Sequence, residues 1–223
     1  MLKRYIPFFL CLTLICQSVH GGTDNTGKDL FAFDQLPDLP DPVGVAGPFA
    51  GIHNDALIVG GGANFPDGRP WEGGKKAWHD KVYVLQKDED GNFIWNKNVF
   101  KLPRPIGYGI SITTENGILC AGGCDGEKCF RDVFLLKWEE GKISIEQMPP
   151  LPRPLAFMTG AKIGNVVYVA GGQESVKNAS ATKNFWSLDL SKKYSESEFE
   201  WKELPEWPGP ARVVALSAVQ NDG

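Results

Sequence analysis

The chain has 223 residues, 42% hydrophobic and 22% charged, with a formal net charge of −4 at pH 7. That is an ordinary globular composition. Charges of both signs are interspersed and there is no Lys/Arg run, so the chain lacks the basic field a polyanion needs and nucleic acid is excluded as a partner.

At the start of the chain, Lys3 and Arg4 precede an apolar run from Tyr5 to Cys16, then small and polar residues to Gly22. This is the pattern of a secretory signal peptide over residues 1–21. It is too short to span a bilayer and predicts a secreted or periplasmic protein. Ile15 before Cys16 argues against a lipidation site. Residues 22–29 read as a linker, and residues 30–37 as a strand ending in Leu-Pro, like Trp201–Pro205 further on.

From Leu39 the sequence repeats. Each unit begins with a Pro-rich turn, continues through an apolar run, a tight turn and a second apolar run, and ends in a glycine pair. Leu102–Gly123 and Leu151–Gly172 align without a gap at an offset of 49 and share eight identities. Two further strands follow each glycine pair: Lys81–Leu85 and Phe93–Trp95, then Asp132–Leu136 and Lys142–Ile145, then Phe185–Leu190 and Phe199–Trp201. The first two strands of a unit turn at Asn54-Asp55, Asn116-Gly117 or Gly164-Asn165, as a hairpin requires.

Four-stranded units of about 50 residues with a Gly-Gly pair and downstream aromatics predict an all-β, kelch-type β-propeller of antiparallel blades. The predicted blades span residues 38–100, 101–147 and 148–204, and residues 205–223 open a further one with a strand at Pro210–Leu216. Three full blades, a leading outer strand and one further strand do not close a ring, so the expectation is a truncated propeller. Its open edges would favour self-association. Trp95, Trp138, Trp186 and Trp201 are expected in the packing between blades.

Beyond the signal segment lie Cys120, Cys124 and Cys129. Cys124 and Cys129 flank the turn at Asp125–Lys128 and are placed to bridge across it, while Cys120 is expected as a buried thiol. No Ser-His-Asp order, phosphate loop or metal-ligand cluster occurs, and no metal or cofactor is expected. His79 and Glu72 are the weak candidates for acid/base work.

Strand parity puts the Pro-rich turns and the loops after the glycine pairs on one rim. That rim carries Arg104, Arg153 and Arg212 at the starts of innermost strands, together with the long loop from Ala63 to His79. Converging guanidinium groups suit a ligand bearing a carboxylate. The competing expectation is that each Arg pairs with a carboxylate of its own repeat, and that the long loop is a solvated insert.

Gly44–Leu85, with its Gly-Val-Ala-Gly-x-Phe-Ala-Gly segment, and Arg104–Gly123 together resemble the N-acetylneuraminate epimerases, or sialic acid mutarotases. The blade order resembles the cyclically permuted branch of that family. The resemblance implies a six-bladed kelch propeller, of which this chain would supply about three and a half blades. It also implies conversion of the α anomer of N-acetylneuraminate to the β anomer, with no cofactor and an acidic sugar as ligand. The family's Gly-Glu-x-x-x-Gly-x-Arg motif, which carries its catalytic Glu and a partnering Arg, is matched neither at Gly126-Glu127 nor at Gln173-Glu174, so the catalytic residues stay unassigned. Arg104, Tyr108, Arg153, Arg212 and Asn64 are the candidate sugar-binding residues by position. A secreted kelch module that binds without catalysis is the alternative function.

Overall fold

The structure is a computed structural model that describes residues 34–195 and 197–220. It divides into Met1–Leu36 and Pro37–Gly223, and the second unit is the subject of all that follows. The expected signal peptide, linker and first half of the strand at 30–37 lie outside the described residues, and residues 34–37 carry no regular structure. Among the described residues there is no α-helix, and no helix is long and apolar enough to cross a membrane.

Three antiparallel sheets follow one another. In the first, β1 (Phe49–His53) and β2 (Ala56–Gly60) form a hairpin; β3 (Ala63–Asn64) and β4 (Ala77–Trp78) pair apart from it; and β5 (Lys81–Lys87) lies beside β2, with β6 (Phe93–Trp95) and β7 (Phe100–Lys101) on its outer edge. The second sheet runs β8 (Ile110–Thr114), β9 (Gly117–Ala121), β10 (Val133–Glu139) and β11 (Lys142–Gln147). The third runs β12 (Thr159–Ile163), β13 (Val166–Ala170), β14 (Phe185–Asp189) and β15 (Lys202–Glu203). Inner strand β1 packs on β8 and β9, and β12 packs on β8. These are the meander blades of a kelch-type propeller, set side by side through their first strands, and the series of sheets does not close.

The sequence pattern explains which faces are covered. On β9 and β10, Leu119, Ala121, Val133 and Leu135 face the third sheet, while Ile118, Cys120, Phe134, Leu136 and Trp138 face the first. A strand covered on both sides has no polar face, which is why Ile118–Ala121 and Val133–Leu136 are unbroken apolar runs. Strand β13 is instead alternately buried and half-buried, with Val167 and Val169 inside. Aromatic edges fill the interfaces: Phe49 meets Phe134 at 5.6 Å, and Phe100 meets Trp138 at 5.6 Å. Trp138, Trp186 and Trp201 are buried as expected. Trp95 is only half-buried, packed edge-on against Tyr83 with its indole N–H donating to Pro37 O.

The glycine pair has a specific task. At the first junction the His79 N–H donates to Gly62 O, the Ile106 N–H donates to His79 O, and the Gly62 N–H donates to Ile106 O, at 2.9, 3.1 and 2.8 Å. The same three-bond circuit joins Gly123, Phe130 and Leu155, and again Gly172, Thr182 and Arg212. The backbone reaches these partners only with positive φ, 91°, 105° and 92° at Gly62, Gly123 and Gly172, a region closed to most side chains. The repeat is thus held together by backbone bonds across each junction as well as by apolar packing.

Four sequence expectations differ from the structure. Residues 63–79 are not a plain loop, because β3 and β4 pair Ala63 with Trp78 and Asn64 with Ala77. The fourth strand of the third sheet is Lys202–Glu203 rather than Phe199–Trp201; Trp201 turns inward, its indole donating to Pro149 O at 2.8 Å. The second hairpin turns at Glu115-Asn116, because Thr114 pairs with Gly117. Residues 210–216 form no ladder strand, and Arg212 makes a single bridge to Thr182.

Candidate functional site

The entry to each inner strand has an unusual backbone. Gly47, Tyr108 and Phe157 each lie two residues before β1, β8 and β12, with φ of 62°, 60° and 57°, and Val214 follows with 53°. Their peptide groups form a chain across the junctions. The Tyr108 N–H donates to Gly47 O, the Phe157 N–H to Tyr108 O and the Val214 N–H to Phe157 O, at 2.7, 2.8 and 2.8 Å. Non-glycine residues rarely hold this conformation, and here the bonds that link the blades impose it.

That backbone places the aromatic rings. Tyr108 stacks on Phe157 with centroids 4.7 Å apart. At the equivalent position in the first blade, Gly47 has no side chain because the Tyr108 ring occupies that space, and a Cβ would stand 2.5 Å from its Cδ1. Gly51, the last glycine of the same segment, is needed for a similar reason, since a Cβ there would stand 2.9 Å from Thr113 Oγ1 and Ile118 Cγ1.

Tyr108 forms one wall of an open cavity of about 500 Å³, with Gly44, Ala46, Asn64, Phe65, Arg69 and Pro70 among the other walls. Lys76 brings its ammonium 4.2 Å from the centre of the Tyr108 ring and 5.1 Å from that of Trp78, within cation–π range. Arg69 lies over Trp71 at 5.6 Å. Among the described residues neither Arg69 nor Lys76 makes an ion pair. Two cations without carboxylate partners beside a Tyr-walled cavity can hold an anionic ligand.

Asn64 is buried, and its side chain is fully employed. Its Nδ2 donates to Gly44 O at 2.8 Å and to Asp41 Oδ1 at 3.3 Å, so the Oδ1 faces His79 Nε2 at 2.7 Å. In the neutral imidazole that assigns the proton to Nε2 and leaves Nδ1 as the basic nitrogen. Asn64 therefore acts by fixing the cavity wall and the His79 tautomer. Glu72 lies in an exposed 3-10 turn, where its carboxylate accepts from the Arg69 N–H at 3.2 Å.

The three expected arginines are placed differently. Arg104 pairs with Asp132 at 3.5 Å, lies 4.8 Å over Phe130 and lines a separate cleft of about 270 Å³. Arg153 binds Glu174 at 3.0 Å and donates to Asn184 Oδ1 at 2.7 Å, with its guanidinium 5.5 Å over Trp186. Their contacts share no residue, and both stay within their own repeats. Arg212 is exposed and stands where Ile106 and Leu155 stand in the junction circuits, so it is not the repeat equivalent of Arg104 and Arg153. The structure thus brings Asn64 and Tyr108 to one cavity and leaves Arg104 and Arg153 outside it.

Sequence reasoning did not single out Arg69, Lys76 or Phe157. Phe157 was within reach, as the partner of Tyr108 at the 49-residue offset. The two cations were not, because nothing within the loop's own sequence sets which of its side chains the β3–β4 pairing brings to Tyr108 and the cavity.

The sequence profile of N-acetylneuraminate epimerase matches residues 17–145, more than half of the chain. An N-acetylneuraminate epimerase of Haemophilus influenzae (strain PittEE) is 37% identical over 126 residues, covering 50% of this chain and 32% of the relative. Those of Pasteurella multocida (strain Pm70) and Yersinia pestis (strain Pestoides F) are each 36% identical, over 138 and 115 residues, covering 54% and 46% of this chain and 35% and 27% of the relatives. The chain thus spans about a third of the length of the curated relatives it matches. The matched region contains the first sheet, the second as far as Ile145, their glycine junction and the cavity between Gly44 and Tyr108, and the chain belongs to the N-acetylneuraminate epimerase family.

Proposed function

We propose that this chain forms the sugar-binding blades of a sialic acid mutarotase, and that the cavity at Tyr108 receives N-acetylneuraminate. The observation that carries the reading is the pair of cations, Arg69 and Lys76, left without carboxylate partners beside an aromatic wall inside the region matched to the family. Arg69 and Lys76 hold the sugar carboxylate, and Tyr108, backed by Phe157, packs against the sugar. Anomer exchange requires a base for the anomeric hydroxyl proton and an acid for the ring oxygen. His79, held by Asn64 of the cavity wall with Nδ1 as its basic nitrogen, is the group assigned to this proton transfer. The charged start at Lys3-Arg4 and the apolar run to Cys16 support export to the periplasm or medium.

The test is a titration of the 223-residue chain with N-acetylneuraminate and with its methyl ester, alongside NMR of the α-to-β exchange of the free acid. The acid is expected to bind at least about tenfold more tightly than the ester, since the ester removes the charge that both cations answer. Equal affinity for acid and ester, or no binding of the acid by folded protein, overturns the assignment. Accelerated exchange places the proton-transfer groups within these residues, and binding without acceleration limits their role to recognition.

A further inference from the structure

Behind Tyr108 and Phe157 lies a small apolar cluster that contains two thiols, Cys124 and Cys129, 1% and 6% exposed, with Ala156 and Val176 around them. The sugar chemistry has no use for either. Their backbone relation is specific, because Cys124 and Cys129 are directly opposed in an antiparallel bridge. The flanking bonds run from Asp125 N–H to Lys128 O at 3.1 Å and from Phe130 N–H to Gly123 O at 2.8 Å, and the two cysteines exchange no backbone bond with each other. The Cys124 N–H is used elsewhere, donating to Gly107 O.

An opposed pair of this kind is the non-hydrogen-bonded type. Its Cα atoms stand about 4.5 Å apart with the side chains on the same face, inside the span of about 4.4–6.8 Å that a disulfide bridges. The turn between them is already closed: the Asp125 carboxylate accepts from the Glu127 and Lys128 N–H groups at 2.8 and 2.9 Å. Cys120 belongs to a different core, its thiol donating to Ile118 O at 3.6 Å, and has no partner in this cluster.

We propose that Cys124 and Cys129 are a redox pair which closes to a disulfide under oxidising conditions, locking the turn that supports the binding rim. Gly126 of that turn lies under the Trp78 ring, where even a Cβ would stand 3.2 Å from Cζ3, and the Cys124 backbone is paired with Gly107, next to Tyr108. With a small disulfide such as oxidised glutathione as oxidant, one protein thiolate attacks a donor sulfur and expels one thiolate. The second protein thiolate then attacks the protein sulfur of the mixed disulfide and expels the other. The two donor sulfurs are reduced, the two protein sulfurs are oxidised, and the two thiol protons pass to the expelled thiolates. Cys129 attacks first, being the more exposed. Burial pushes its thiol up to about 11, against about 12 for Cys124, so both thiols are protonated at neutral pH and closure is slow in the folded chain.

The test is peptide mapping. The full chain is held in buffer with excess oxidised glutathione, free thiols are alkylated, and the protein is digested with trypsin without reduction. Cleavage after Lys128 separates the two cysteines. The expected result is that most of Cys129–Arg131 is recovered linked to Leu102–Lys128, that the link persists in Cys120→Ser, and that it disappears in Cys124→Ser. Recovery of Cys129–Arg131 as a free alkylated peptide or a glutathione adduct overturns the proposal. So does a link that survives Cys124→Ser and is lost in Cys120→Ser. The map reads covalent connectivity alone, so its outcome is independent of whether the rim binds a sugar.

Discussion

Replacing Gly122 by Ala tests whether the glycine pair is a junction device or only a flexible strand end. Gly122 has φ of +61°, and a Cβ there would stand inside the contact distance of Leu155 O and the Met158 methyl group. Gly141, at the turn between β10 and β11, has φ of +75° and nothing near its missing Cβ. Both replacements carry the left-handed penalty, about 1–2 kcal/mol, offset by about 0.4–1 kcal/mol from the stiffer unfolded chain. Gly141→Ala should therefore lose about 1 kcal/mol. Gly122→Ala must also displace Leu155 O, which accepts the Gly123 N–H at 2.8 Å. A compromised buried hydrogen bond costs about 1–3 kcal/mol, and overpacking against Met158 about 1–3 kcal/mol more. The expected loss is about 3–7 kcal/mol, read as a lower urea midpoint at unchanged slope. If the two variants lose the same amount, to within about 0.5 kcal/mol, the junction circuit does not hold the blades together.

Trp186→Ala should lose about 3–5 kcal/mol in the same urea assay, because the side chain is 1% exposed between the second and third sheets; a loss under about 1 kcal/mol would mean that this interface does not form in solution. Glu146 accepts from Lys137 and Lys193, each at 2.6 Å, and the Lys137 hydrogen bond foremost holds its carboxyl below the usual range. Its stabilisation is therefore complete above that range and is lost as pH falls through the lowered value. As the carboxylate is about a third exposed and screened, Glu146→Gln should cost under about 1 kcal/mol at pH 7, with the gap to the parent closing in acid; a gap that widens in acid contradicts the sign. Arg69→Ala and Lys76→Ala should each weaken N-acetylneuraminate about five- to tenfold in calorimetric titration while leaving the methyl ester unchanged. Equal losses for acid and ester would mean that these residues shape the cavity rather than meet the carboxylate.

The blade pattern was legible because it is written in local periodicities. The glycine pairs, the 49-residue offset and the unbroken apolar runs at Ile118–Ala121 and Val133–Leu136 follow from strand geometry and from burial on both faces. Where strand pairing depended on one or two residues, sequence failed: Lys202–Glu203 was missed because the adjacent Trp201 carries the stronger strand preference but is taken by the core. The site was less legible still. Tyr108 and Asn64, chosen by rim position, line one cavity, whereas Arg104 and Arg153, which hold the same place in their repeats, pair with carboxylates of their own blades.

The amino-acid sequence by itself determined the fold class, the repeat and the family, because each rests on residue types at fixed spacing along the chain. Tertiary structure alone decided that Arg69 lines the cavity with Lys76 against its Tyr108 wall, why Gly47 has no side chain, and that the Cys124–Cys129 pair lies in the cluster behind Tyr108 and Phe157. Those are relations between residues brought together by backbone bonds across turns and blade junctions, and no periodicity within a single strand encodes them.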